Sequence, residues 1–307
     1  MSMATRDAYG KTLVALGAEH PEIVVLDADL SRSTKTGDFK DVYPERFFNI
    51  GIAEANMMGI AAGFATCGKI PFVSTFAIFG TLRAADQVRN SICYPNLNVK
   101  LALTHAGITV GEDGASHQVV EDIALMRAMP NMTVIVPADG EETAQAVRAA
   151  VEYEGPVYLR LGRAKVPTIF DSNYKFEIGK GVIVHPGDDV TVIACGIMVS
   201  IAIEAAKELA HQGISVRVIN MPSIKPIDRE LIIAAAHETR GIVTAEEHSI
   251  IGGLGGAVAE VVSESVPTLV KRVGMMDTFG ESGKPEQLLV KYGLTKENII
   301  SKIREIV

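Results

Sequence analysis

The most restrictive feature of this chain is a regular alternation: apolar runs of four to eight residues separated by segments of helical period. A strand that is apolar along its whole length must be covered on both faces. Crossover helices between parallel strands supply that cover, so the pattern predicts an α/β fold with a mostly parallel, doubly wound sheet. In the first unit the pattern predicts a helix from the cap Thr5 to about Ala18, then a buried strand over EIVVLDADL (Glu22 to Leu30) whose carboxyl end carries Asp27 and Asp29. Helices follow over Ala53 to Thr66, Gly80 to Ile92, His117 to Met129 and Glu141 to Tyr153. Strands are expected over Ile70 to Ser74, Val99 to Thr104, Thr133 to Pro137 and Val157 to Leu161.

The pattern loosens after Pro167, where TIFDSNYKFEIGKGVIVHPGDD mixes Gly, Asp and aromatic residues without helical period. This places a first domain over residues 1–168, a linker over 169–188 and a second, smaller α/β domain over 189–307. The second unit restarts at VTVIACG, continues through ISVRVINM, GIVTAEE and VKRVGM with helices between them, and closes on two helices. No short repeat of the solenoid kind and no low-complexity tract interrupts it.

Charge and hydropathy narrow the class of function. The 29 Lys and Arg against 37 Asp and Glu give a net charge of −8, and no run of basic residues exceeds two. Nucleic-acid binding by counter-ion release needs a basic stripe, so that class is excluded. No uncharged stretch reaches the roughly 18 residues that span a bilayer, which argues against a membrane protein. Arg6, Asp7 and Lys11 stand where a secretory signal would have its apolar segment, so a cytoplasmic location is expected. Cys67, Cys93 and Cys195 lack metal-ligand spacing and are expected as buried, reduced thiols, with no metal on this chain.

Three segments carry residue types suited to chemistry. The loop LTHAGITVGEDGASHQ follows a strand and holds His105, Glu112, Asp113 and His117 across two glycine turns. Ligands of open parallel sheets bind beyond the carboxyl ends of strands, where such a set can move protons or grip phosphate. In FFNIGIAEANMMGIAAGFATCG, Glu54 opens a helix that is otherwise uncharged and rich in small residues. A carboxylate there is favoured by the helix dipole, but so apolar a helix is buried, and a buried carboxylate needs a partner and is prone to a raised pKa. Glu54 is therefore a candidate acid/base. In STFAIFG, Phe76 and Phe79 are spaced i, i+3 where a strand enters a helix; they are either core or a platform for a flat heteroaromatic ring. The glycines of EEHSIIGGLGGAVAEVV fail the G-x-G-x-x-G pattern at Val258, and close helix packing is the expected reason for them.

Read in order, DADLSRS, NIGIAEANM, STFAIF, THAGITVGEDGASHQ, VIVPADGEE and LRLGRAKVP resemble the pyrimidine-binding domain of transketolase. The similarity continues through VTVIACG and TAEEH into the transketolase C-terminal domain. The family's diphosphate-binding domain carries Gly-Asp-Gly, a tripeptide this sequence lacks. The resemblance thus implies the C-terminal half of a split transketolase. A separate N-terminal chain would bind Mg2+ (or Ca2+) and the diphosphate of thiamine diphosphate, in an α2β2 heterotetramer. Carried over residue by residue, Glu54 matches the glutamate that bonds the pyrimidine ring, and Phe76 and Phe79 match the aromatics that enclose it. Leu82 stands at the third aromatic position, a departure that loosens stacking, and Asp29 matches a residue near the coenzyme and the subunit contact. Arg6, Ser33, His105 and Arg163 match the phosphate grip, Asp113 a residue that reads a donor hydroxyl, and His117 a histidine beside the reacting oxygens. The activity implied is transfer of a two-carbon ketol unit between sugar phosphates in the non-oxidative pentose phosphate pathway.

Two rival readings share parts of this sequence. The β chain of a 2-oxoacid dehydrogenase or a deoxyxylulose-phosphate synthase keeps the coenzyme and changes the reaction; the phosphate grip and the GEDGASHQ loop favour transketolase over the first, and the expected single long chain disfavours the second. A non-catalytic regulatory subunit would have lost Glu54 or the aromatics, and both are present.

Overall fold

A computed structural model describes residues 2–307. The first half builds a seven-stranded sheet. Its order is Ser223–Lys225, Thr133–Ile135, Val157–Arg160, Lys100–Leu103, Ile70–Ser74, Ile23–Asp27 and Phe47–Asn49. All neighbours are parallel except the first pair. Strand residues alternate between two cores, as a doubly wound sheet requires. Ile23 and Val25 face Tyr9, Leu13 and Leu16 of helix Thr5–Glu19 and Ala146, Val147 and Ala150 of helix Gly140–Glu152. Val24 and Leu26 face Met57, Met58 and Ala61 of helix Glu54–Thr66, in a core that also takes Ile123 and Met126 of helix Asp122–Ala128.

The second half builds a five-stranded sheet in the order Val270–Met275, Ile242–Ser249, Val190–Ala194, Val216–Asn220 and Val182–His185. The last strand is antiparallel and lies inside the segment expected as a linker, as does Phe170, which joins the core of the second sheet. Ser223–Lys225, from the second half of the chain, extends the first sheet. Ile193, Ile219 and Met221 share a core cluster with Val134 and Val136, so the two halves pack as one body.

Three expectations need correction. The helix expected over Gly80 to Ile92 is two wide π-type turns, Phe79–Arg83 and Val88–Cys93, around a short α turn at Ala85–Gln87. The helix expected from His117 starts only at Asp122, because the carbonyls before it are claimed elsewhere. Val119 O accepts from Gly107 N at 2.9 Å and Val120 O from Ser249 N at 2.6 Å. Cys93 and Cys195 are buried, whereas Cys67 is exposed at the end of helix Glu54–Thr66. No helix among the described residues is long and apolar enough to cross a membrane.

Candidate functional site

Four adjacent strands deliver polar loops to one end of the first sheet. The loop after Ile23–Asp27 brings Arg32 and Ser33, that after Ile70–Ser74 brings Phe76, that after Lys100–Leu103 brings His105, Asp113 and His117, and that after Val157–Arg160 brings Arg163. Arg6 joins them from the first turn of its helix, and together these residues line a cavity of about 500 Å³. Seven of the predicted site residues therefore meet in one place. Arg32 was missed, because an exposed arginine carries no periodic signal; the short helix Ser31–Thr34 sets it on the rim of the cavity.

The electrostatics of the cleft are set by three arginines. Arg6 Nη1 donates to the Ser33 carbonyl at 3.0 Å and lies 3.0 Å from His105 Nε2. An arginine has no acceptor, so His105 Nε2 accepts and its Nδ1–H donates to Thr104 Oγ1 at 2.8 Å. Burial, then the nearby charges of Arg6 and Arg163, push the His105 imidazole down to about 3. His105 is thus neutral and orients Arg6. Arg163 Nη1 donates to the Val110 carbonyl and lies 3.6 Å from Asp113 and 4.0 Å from Glu112. His117, half-buried, is held 3.0 Å from Ser116 Oγ with its ring edge-on to Phe79 at 5.3 Å.

Beside this cleft lies an aromatic platform. Phe76 stacks on His105 at 3.8 Å and on Phe79 at 5.9 Å. Glu54, 2% exposed, meets both needs that its sequence context implied, a buried seat and a partner. The partner is Arg83, whose Nη1 lies 3.0 and 3.1 Å from the two carboxylate oxygens and whose guanidinium covers the Phe79 ring at 4.3 Å. The wide turn Phe79–Arg83 makes this contact, which a residue-by-residue reading could not anticipate. Leu82 is 40% exposed. Asp29, in the left-handed region at φ 63°, is locked to Asn49 by two 3.0 Å hydrogen bonds and is not among the residues lining the cleft.

The second domain braces the loop that carries Asp113 and His117. Glu247 Oε1 accepts from Thr109 N at 2.7 Å, and Gln118 Nε2 donates to carbonyls of Ile108, Gly111 and Glu281. Gly107, at φ +80°, approaches Glu247 so closely that a Cβ would sit 2.3 Å from its carboxyl group. Behind the loop, Asp122 pairs with Arg160 at 2.7 and 3.1 Å, and Arg160 holds the Glu247 carbonyl at 3.0 Å. The glycine-rich turn is explained by packing: Glu246 caps the amides of Leu254 and Gly255 at 2.7 and 2.8 Å, so the protein's own carboxylate occupies that helix start.

The donor set fits the pyrimidine end of thiamine diphosphate. A buried carboxylate next to a stacked aromatic pair offers a ring nitrogen a hydrogen-bonding partner and the ring a flat neighbour. One buried polar atom there, Thr75 Oγ1 immediately before Phe76, has no protein partner among the described residues. Glu54, Phe76 and Phe79 are the residues that would hold the ring.

Comparison with known proteins agrees with this geometry. Residues 1–168 match the family "Transketolase, pyrimidine binding domain", and residues 179–299 match "Transketolase, C-terminal domain". A transketolase C-terminal section of Methanocaldococcus jannaschii is 52% identical over 98% of this chain and 95% of its own length. A 6-deoxy-6-sulfo-D-fructose transketolase subunit of Clostridium sp. is 42% identical over 98% of this chain and 94% of its own. Among solved structures, a split gene transketolase described as an inactive β4 tetramer superposes with a TM-score of 0.91 at 56% identity, covering 99% of this chain and 98% of the other. The chain belongs to the transketolase family, as a C-terminal section in which the pyrimidine-binding domain precedes the C-terminal domain.

Proposed function

We propose that this chain is the pyrimidine-side subunit of a split transketolase that moves a two-carbon ketol unit from a ketose phosphate to an aldose phosphate in the non-oxidative pentose phosphate pathway. The observation that carries the reading is the contiguity of two sets: the cationic cleft of Arg6, Arg32 and Arg163 opens beside the Glu54–Phe76–Phe79 seat. When bound, thiamine diphosphate supplies the carbon nucleophile and the electron sink. Glu54, 2% exposed, would hold or give up a proton at its carboxyl oxygen, toward a ring nitrogen, at little solvent cost. Phe76 and Phe79 fix the plane of the ring. Arg6 and Arg163 grip the phosphate, with Ser33 and neutral His105 setting the direction of Arg6. Asp113 reads a donor hydroxyl, and His117 donates to or shuttles a proton at the reacting oxygens.

An N-terminal chain would supply the diphosphate and Mg2+ site and complete an α2β2 assembly in the cytoplasm. The inactive β4 state of the split-gene relative supports that need for a partner. The sulfofructose subunit shows by its name that relatives differ in substrate, so both anionic end groups belong in the test. Ketol transfer from xylulose 5-phosphate to ribose 5-phosphate is measured with thiamine diphosphate and Mg2+ for the assembled complex and for the chain alone, beside a 6-sulfo ketose donor. Activity of the complex alone, faster with the phosphate and abolished by Glu54→Gln, is expected. Unchanged transfer in the Glu54→Gln complex would show that this chain does not carry the catalytic carboxylate, and a preference for the sulfonate would replace the substrate class.

A further inference from the structure

Arg83 does two things that a flat heteroaromatic ring would do in the same place. Its Nη1 donates to both oxygens of Glu54 at 3.0 and 3.1 Å, and its planar guanidinium stacks 4.3 Å from the Phe79 ring centre. Both contacts are of recognised strength, a charge-assisted hydrogen bond and a cation–π pair. The two members are unequally buried: Glu54 is 2% exposed, whereas the Arg83 side chain is 52% exposed. The exposed member is the one that can move without unpacking the core. Here the cation reaches in from the rim, and rotation of one arginine side chain opens the pair while helix Glu54–Thr66 stays in place.

A ring held by the Glu54 carboxylate against Phe79 uses the atoms that Arg83 already uses, so the two occupants exclude each other. Closing the pair also serves the free chain, since a buried carboxylate without a partner is costly. We infer that Arg83 is a positioning residue that occupies the pyrimidine seat until the coenzyme displaces it, keeping Glu54 and Phe79 in the geometry the ring needs. This rests on the thiamine reading above. The closed pair lowers the competent fraction of sites, and apparent affinity falls by that fraction.

The test is calorimetric titration of thiamine diphosphate with Mg2+ into the complex of the full chain with its N-terminal partner, for the wild type, Arg83→Met and Arg83→Lys. Met keeps the apolar stem without the charge; Lys keeps the charge without the flat face. Arg83→Met is expected to bind the coenzyme about 5- to 30-fold more tightly, from the loss of an exposed ion pair and a cation–π contact that compete with it, with Arg83→Lys between the two. The coenzyme-free Arg83→Met chain should melt earlier than wild type, and the loaded complexes should melt alike. Equal or weaker binding by a folded Arg83→Met complex overturns the inference. Should Arg83→Met fail to fold, Arg83→Lys decides: it must bind more tightly than wild type. A wild-type complex that binds no coenzyme overturns the thiamine reading and this inference together, a pattern distinct from wild-type binding that the variants leave unchanged.

Discussion

Asp122→Asn is the perturbation whose cost the structure fixes best. Asp122 is fully buried and Arg160 has 5% of its side chain exposed, so neither charge has water to fall back on. Burial alone would raise the Asp122 carboxyl, but the Arg160 guanidinium, bonded at 2.7 and 3.1 Å, overrides it and holds the group below its ordinary range. Tyr158 donates to the same carboxylate. Asn keeps the shape and removes the charge, which leaves a buried guanidinium without its hydrogen-bonded counter-ion. Breaking such a pair from one side costs about 3–5 kcal/mol, a large share of the 5–15 kcal/mol that typically holds a protein together. Urea unfolding followed by circular dichroism should show this loss in Asp122→Asn. The double variant Asp122→Leu with Arg160→Met should cost less than either single change, because it removes both charges. A second readout follows from connectivity: Arg160 holds the Glu247 carbonyl and Glu247 holds Thr109 N, so KM for the sugar phosphate should rise in Asp122→Asn. A single variant within about 1 kcal/mol of wild type, or a double variant costing the sum of the singles, would refute the argument.

Three further outcomes follow from the same geometry. Gly107→Ala, with φ +80° and a Cβ 2.3 Å from the buried Glu247 carboxyl group, should cost more stability than Gly68→Ala, which has nearly the same φ of +77° and nothing within 4 Å; melting curves of the two variants decide it. His105 is held at about 3 in the folded chain, below the ordinary 6.5, so between pH 6.5 and about 3 only the unfolded chain takes up this proton. Its share of stability is lost as the pH falls through that window, by up to about 1.4 kcal/mol per pH unit, and His105→Asn should flatten the pH dependence of the urea midpoint by that amount. Arg32→Ala should raise KM for a phosphorylated ketose up to about fivefold with kcat nearly constant, more visibly at low salt, as steady-state kinetics at two ionic strengths would show.

The second domain has a supporting part inside the chain: Glu247, Glu281 and Ser282 grip the loop that presents Asp113 and His117. Such bracing limits the freedom of a loop that carries polar side chains to the cleft.

The architecture was legible because burial on both faces leaves a local mark: Ile23 to Leu26, Ile70 to Val73 and Val157 to Leu159 are continuous apolar runs, and helices between them cover a parallel sheet. That His105, Asp113 and His117 share one cavity was legible for another reason, since the loop after a strand opens at the carboxyl end of a parallel sheet. Local pattern failed at His117 to Glu121, where helical period was present but the carbonyls of Val119 and Val120 bond to Gly107 and Ser249. It failed again at Gly80 to Ile92, where wide turns replace a regular helix. Pairings across the fold left no mark in the sequence: Glu54 with Arg83, 29 residues apart, Asp122 with Arg160, 38 apart, and Thr109 with Glu247, 138 apart. Periodicity records how much of each segment is buried, whereas the partner of a buried charge depends on where the backbone returns, and only the folded chain decides that.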